Sequence, residues 1–183
     1  MRFRYWLKKL IYRIRGEYTV ESLVKMGLMV GRNFNPQLGV SLDPSHCWLI
    51  TIGDDVTMAP GVRILAHDAS TCQGLGYAKI GRVDIGNRVF IGAGSIVLPN
   101  VTIGDDVIIG AGSVVTHSLE SGQVFAGNPA RRICSTAEYL EKHRKQMAVR
   151  PLYGEDYTLR GAITSEKKRE QKEALSDGGG YVI

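Results

Sequence analysis

The sequence predicts an all-β solenoid, a chain wound into stacked coils of short parallel strands. Three observations carry this. Read in sixes from Ile85, the chain runs IGNRVF, IGAGSI, VLPNVT, IGDDVI, IGAGSV, VTHSLE. Ile85, Ile91, Val97, Ile103, Ile109 and Val115 hold the first place, and Gly holds the second in four of the six. Val89, Ser95, Val101, Val107, Ser113 and Leu119 hold the fifth, all small or aliphatic. A helix repeats its apolar face every 3.6 residues and a half-buried strand every two, so neither explains a period of six. A short strand of β-branched residues followed by a turn, where Gly or Asn tolerates unusual backbone angles, does. Three hexads close one triangular coil, and stacked coils bury a continuous aliphatic column.

The elements follow in chain order. In residues 1–15, Phe3, Trp6, Leu7, Leu10, Ile11 and Ile14 fall on one helical stripe, with basic residues elsewhere. A shorter helix follows, capped by Thr19 and stopped near Gly27. Together, residues 1–29 form an N-terminal helical cap. The repeat proper spans residues 30–133. It opens with VGRNFN at Val30 and slips phase by four residues near Trp48, then resumes as IGDDVT, MAPGVR and ILAHDA. Residues 67–82, HDASTCQGLGYAKIGR, contain no hexad and stand between two good ones. A long excursion from a regular scaffold points to function. Residues 134–183 are a helical extension. Ser135 and Glu138 make a capping-box pattern for a helix to about Met147, Pro151 ends that region, and residues 164–175 read as a polar helix. Gly178 to Gly180 then leads to a loose tail. Caps are needed because an open coil end exposes strand edges and core.

Composition narrows the function. The chain has 183 residues, 44% hydrophobic and 22% charged, with a net charge of +5. The basic excess gathers at the two ends, and no aromatic stacking platform accompanies it, which argues against nucleic-acid binding. Cys47, Cys72 and Cys134 are odd in number and form no CxxC pair, consistent with a reducing compartment. No apolar run reaches the length of a membrane span, and the N-terminus does not read as a signal peptide. The cytoplasm is the expected location. The basic stripe of residues 1–15 either docks on the first coil or lies on a membrane surface with Trp6 at the interface.

His67 heads the excursion. A histidine there is a surface side chain or a general base, and its place in the repeat favours the base. Asp68 beside it either caps the local turn or contacts a ligand. Asp43 and His46 lie in SLDPSHCW near the phase slip, and a carboxylate there is suited to accept from two donors at once. The alternative is a turn at Asp43-Pro44 with His46 packed on Trp48. The remaining histidines, His117 and His143, give no pair spaced for a metal, so no metal is expected.

Residues 30–133 resemble the hexapeptide-repeat acyltransferases, most closely the sugar and capsular-polysaccharide O-acetyltransferases. The hexads, the excursion with His67, and AGNPAR at 126–131 carry the resemblance. It implies a left-handed parallel β-helix, an exception to the right-handed crossover rule. It also implies acetyl-CoA as donor, a sugar or glycan hydroxyl as acceptor, His67 as base, and acceptor contacts from Asp43, His46 and Asp68. On the donor side the matching positions are Gly92 and Ala93, whose N–H groups are candidates for the oxyanion, then Ala111, Thr116 and His117, with Arg131 for the CoA phosphates. The family often has Lys where His117 stands. It further departs at Gln37, where galactoside-type enzymes carry Asn, which implies a different acceptor. The resemblance implies a homotrimer with active sites between chains. Transfer is expected to be direct, because neither Cys47 nor Cys72 has an activating partner in view. The rival readings are an antibiotic O-acetyltransferase, which uses the same base with a longer excursion, and a non-catalytic solenoid that only binds.

Overall fold

The structure is a computed structural model and describes residues 18–183. The apolar stripe expected in residues 1–15 lies outside the described residues. The chain divides into two compact units, Met1–Thr136 and Ala137–Ile183.

In the first unit, helix α1 (Val20–Lys25) is capped by Thr19, whose hydroxyl accepts from the Ser22 N–H. Gly27, at φ 108°, turns the chain out of it. Short strands then follow in a fixed rotation. The first coil holds β1 (Met29–Val30), β2 (Asn35–Pro36) and β3 (Ser41–Leu42). The second holds β4 (Ile50–Ile52), β5 (Thr57–Met58) and β6 (Arg63–Ile64). An excursion carries β7 (His67–Asp68), helix α2 (Cys72–Leu75) and β8 (Lys79–Ile80). The rotation resumes with β9 (Val83–Ile85), β10 (Phe90–Ile91) and β11 (Ile96–Val97), then β12 (Val101–Ile103), β13 (Ile108–Ile109) and β14 (Val114–Val115). Finally β15 (Gln123–Ala126) and β16 (Arg131–Ser135) close the stack as an antiparallel pair.

Three sheets result. The first face stacks β1, β4, β9 and β12, the second ends in β2, β5, β10, β13 and β15, and the third stacks β3, β6, β11 and β14. All pairings within these faces are parallel apart from β15 with β16. Asn35 pairs Thr57, Thr57 pairs Phe90 and Phe90 pairs Ile108, so successive coils take 22, 33 and 18 residues. Eighteen is three hexads. The four extra residues of the first coil are the phase slip, taken up by a tight turn at Cys47–Leu49. The surplus of the second coil is the excursion.

The hexad explains the core. First-place residues Ile91, Val97, Ile109 and Val115 are fully buried, and fifth-place Ser95 and Ser113 are buried with them. Burying a hydroxyl costs unless it is paired. Both are: Ser95 Oγ donates to Gly110 O at 3.0 Å, and Ser113 Oγ donates to the same oxygen at 2.6 Å. Second-place glycine is required where coils touch. A Cβ on Gly53 would lie 2.7 Å from Gly86 O, inside van der Waals contact. At the corner between first and second faces, Asn33, Asp55, Arg88 and Asp106 all take positive φ. Side chains there form a ladder: Arg32 pairs Asp54 at 2.5 Å, Asn87 Nδ2 donates to Asp105 at 3.0 Å, and Arg88 grips Asp106 through two bonds of 2.7 Å.

The second unit holds helix α3 from Ala137 onward (Thr136–Met147), β17 (Leu152–Tyr153), helix α4 (Ser165–Ala174) and β18 (Tyr181–Val182). Thr164 caps α4 through the Lys167 N–H. The loose tail expected after Gly178 is instead ordered. Strand β18 pairs in parallel with β17, and Arg150 donates to Gly179 O at 2.6 Å and pairs Asp177 at 3.1 Å. A two-residue strand anchored by a distant arginine leaves no periodic trace. Among the described residues no helix is long and apolar enough to cross a membrane.

Candidate active site

The corner between the third and first faces is the irregular one. The first coil crosses it with Asp43 to Leu49, the second with the whole excursion, the third with Leu98 to Asn100, and the fourth with Thr116 to Ser118. Asp43, His46, His67, Asp68, Thr116 and His117 therefore share one edge.

Asp43 is only 3% exposed. Its Oδ1 accepts the Ser45 N–H at 3.0 Å, and its Oδ2 accepts the N–H groups of Ala66 at 3.0 Å and His67 at 2.9 Å. The same Oδ2 lies 2.5 Å from His67 Nδ1. Burial alone would push this carboxyl up. The bond from His67 and the Ala66 and Ser45 amides outweigh burial and hold it below its usual range. An ionised Asp43 can only accept, so His67 must carry its proton on Nδ1. Its lone pair then sits on Nε2, and 35% of the His67 side chain stays accessible. The sequence placed Asp43 on the acceptor. In the fold three of its four donors meet Oδ2 and the Ser45 amide meets Oδ1, and with 3% of the residue exposed little of the carboxylate is open to an acceptor hydroxyl.

His46 packs between two rings, its centroid 5.2 Å from Trp48 and 5.3 Å from His67. Its Nδ1 is buried without a hydrogen-bond partner. One ligand atom from each of Asp43, His46 and His67 lies within 4.8 Å of the others. Spacing along the chain concealed this group, because His46 and His67 belong to different coils.

Asp68 caps the turn that opens the excursion, accepting from Ser70 N at 2.9 Å, and pairs Lys79 at 2.6 Å. Lys79 first, then the Ser70 amide, hold its carboxyl down to about 2. Strand β7 pairs antiparallel with β8, His67 opposite Ile80 and Asp68 opposite Lys79. The excursion thus leaves and rejoins the corner as a ribbon, with Gly81 N–H returning to Ala66 O at 3.0 Å. Its tip presents Leu75 and Tyr77 to solvent at 72% and 80% exposure. Nothing in the periodicity pointed to Lys79 as the partner of Asp68.

At the same edge, Thr116 Oγ1 lies 2.7 Å from His117 Nδ1, and Arg131 Nη1 lies 3.0 Å from His117 Nε2. Guanidinium has no lone pair to offer, so His117 accepts at Nε2 and donates at Nδ1. All three side chains are exposed. Gly92, Ala93 and Ala111 are elsewhere, at the corner between the second and third faces. Gly92 cannot supply an oxyanion donor, because its N–H is already spent on Ile109 O at 2.8 Å and the residue is buried. Ala93, exposed one residue on, is left as the candidate.

Comparisons agree with this architecture. The family model described as bacterial transferase hexapeptide (six repeats) matches residues 82–117. The chain is 38% identical to Protein CapG of Staphylococcus aureus over 142 residues, covering 74% of this chain and 83% of CapG. It superposes on the crystal structure of a maltose O-acetyltransferase from Clostridium difficile 630 with a TM-score of 0.51 and 35% identity, covering 60% of this chain and 59% of that one. A galactoside acetyltransferase in complex with coenzyme A gives a TM-score of 0.56 and 30% identity, over 63% and 58% of the two chains. The match thus spans less than two thirds of either solved chain.

Proposed function

Because the chain belongs to the bacterial transferases built from hexapeptide repeats, we propose that it moves an acetyl group from acetyl-CoA to a hydroxyl of a sugar or glycan precursor, with His67 as general base. The Asp43–His67 pair carries this reading. A neutral imidazole takes a proton well only when its other nitrogen is held and its lone pair aimed outward. The buried Asp43 carboxylate supplies that hold. Asp43 is therefore a positioning residue, not an acceptor ligand.

The step is direct. The acceptor hydroxyl attacks the thioester carbonyl as its proton passes to His67 Nε2. The tetrahedral oxyanion takes a hydrogen bond from a backbone N–H, for which Ala93 is the candidate. The intermediate collapses, the C–S bond breaks, and the imidazolium returns its proton to the CoA sulfur. Asp43 stabilises that imidazolium without taking its proton. Holding donor and acceptor together accounts for much of the acceleration. Both the maltose and the galactoside enzymes are named for transfer to sugars, which supports a sugar acceptor. The coenzyme A in the second supports the donor.

The coils wind left-handed in this proposal, and three chains associate with sites between them. The two donor-side groups support this. Ala93 and Ala111 stand at one corner of the coil and His67, Thr116 and His117 at the next, with the third face between them. A donor lying along Ala93 and Ala111 of a neighbouring copy would meet His67, Thr116 and His117 of this one.

The test is a panel of sugars and glycan repeats incubated with acetyl-CoA, products read by mass spectrometry. Addition of one acetyl mass to a sugar is the expected result. Acetylation of hydroxylated antibiotics alone would replace the reading, and bound coenzyme A without any product would reduce the chain to a binding module.

A further inference from the structure

We propose that Asp43, His46 and His67 form a binding site for one zinc-class divalent ion per chain, and that filling it stops acetyl transfer; the second half rests on His67 being the base. The buried His46 Nδ1 is the pointer. It has no hydrogen-bond partner, although buried ring nitrogens nearly always find one. His46 also belongs to a group in which one ligand atom from each of Asp43, His46 and His67 lies within 4.8 Å of the others. Around zinc, with bonds of ~2.0–2.2 Å, tetrahedral neighbours stand about 3.3 Å apart. Side-chain rotations would have to bring His46 in and part Asp43 Oδ2 from His67 Nδ1, which stand 2.5 Å apart.

The donor set selects the ion. Two imidazole nitrogens and one carboxylate suit zinc, cobalt, nickel or copper, and do not suit magnesium or calcium, which ask for oxygen. Asp43 is fixed by the amides of Ser45, Ala66 and His67, the outer support that orients a metal ligand. Three protein ligands leave one position for water, and the part-exposed His67 side chain marks the open side.

Inhibition follows from counting lone pairs. Neutral imidazole has one. If His67 gives it to the ion from either nitrogen, the other nitrogen carries the proton, and none remains to take one from the acceptor. Asp43, turned toward the ion, also ceases to hold the ring.

The full chain, stripped with a chelator, is titrated with zinc chloride by calorimetry and with cobalt chloride by visible absorption, without donor or acceptor. Acetylated sugar is measured by mass spectrometry in parallel. One ion per chain, loss of product in proportion to occupancy, and recovery on adding chelator are expected. His46→Gln and His46→Leu should each weaken binding by at least roughly 100-fold, since even losing a group that merely supports a ligand costs ~10–100-fold. His143→Gln, in the other unit, should leave binding unchanged. Equal binding by wild type and both His46 variants, no binding at one per chain, or full transfer with the site filled would overturn the proposal. A chain that binds zinc through His46 but acetylates nothing would sink the functional reading while leaving the ion site standing.

Discussion

At the residue scale, the proposed chemistry rests on a carboxylate the sequence pointed to for a different reason. His67 was singled out as the candidate base because it stands where the hexads stop. Asp43 was visible only as a polar residue near a slip, since periodicity says nothing about which side chains meet at an irregular corner. Its burial and its four donors recast it as the partner of His67. Replacing Asp43 by Asn removes the charge that fixes the tautomer. We expect kcat to fall ~10²–10⁴-fold with KM for acetyl-CoA unchanged; an equal rise in KM would mean that the donor site had been disturbed. Stability supplies a second check. The folded carboxyl is held below its unfolded value, so its contribution is complete above the ordinary carboxylate range and is lost as pH falls through the folded value. Thermal melts of wild type and Asp43→Asn should differ at neutral pH and draw together only as the pH falls from about 4 through the lower folded value.

At the element scale, the two-residue strand is too short to stand alone and is held by stacking. That is why the inward places could be assigned from sequence: each hexad repeats the same packing problem. Ile91 and Ile109 are fully buried, and truncating either to Ala should cost ~2–5 kcal/mol in denaturant unfolding. Ile96, outward on the third face and only half-buried, should cost less. The excursion obeys other rules. Its ends are tied by the β7–β8 pairing and by Asp68 with Lys79, none of which a six-residue period encodes. Lys79→Ala should leave the melting temperature nearly unchanged, because exposed ion pairs add little. It should speed proteolytic cleavage within residues 69–78 if the pair orders the ribbon. The C-terminal strand was missed for a similar reason: its partner lies about 30 residues upstream, as the Leu152–Tyr181 register shows, and Arg150 anchors the glycines that looked like a free end.

At the scale of the whole molecule, the repeat specified the coil but left its assembly to be inferred. Ala93 and Ala111 occupy a different corner from His67, and in the proposed trimer a neighbouring copy would bring its own Ala93 and Ala111 to that base. Sedimentation should find a trimer, and specific activity should fall on dilution through its dissociation; an active monomer would contradict the shared site. The measurement closest to the central claim compares wild type with His67→Ala, following coenzyme A thiol release with a sugar that the panel shows to be acetylated. The account predicts kcat/KM lower by ~10²–10⁴-fold in the variant, with the fold and coenzyme A binding retained. Unimpaired transfer by His67→Ala would contradict it.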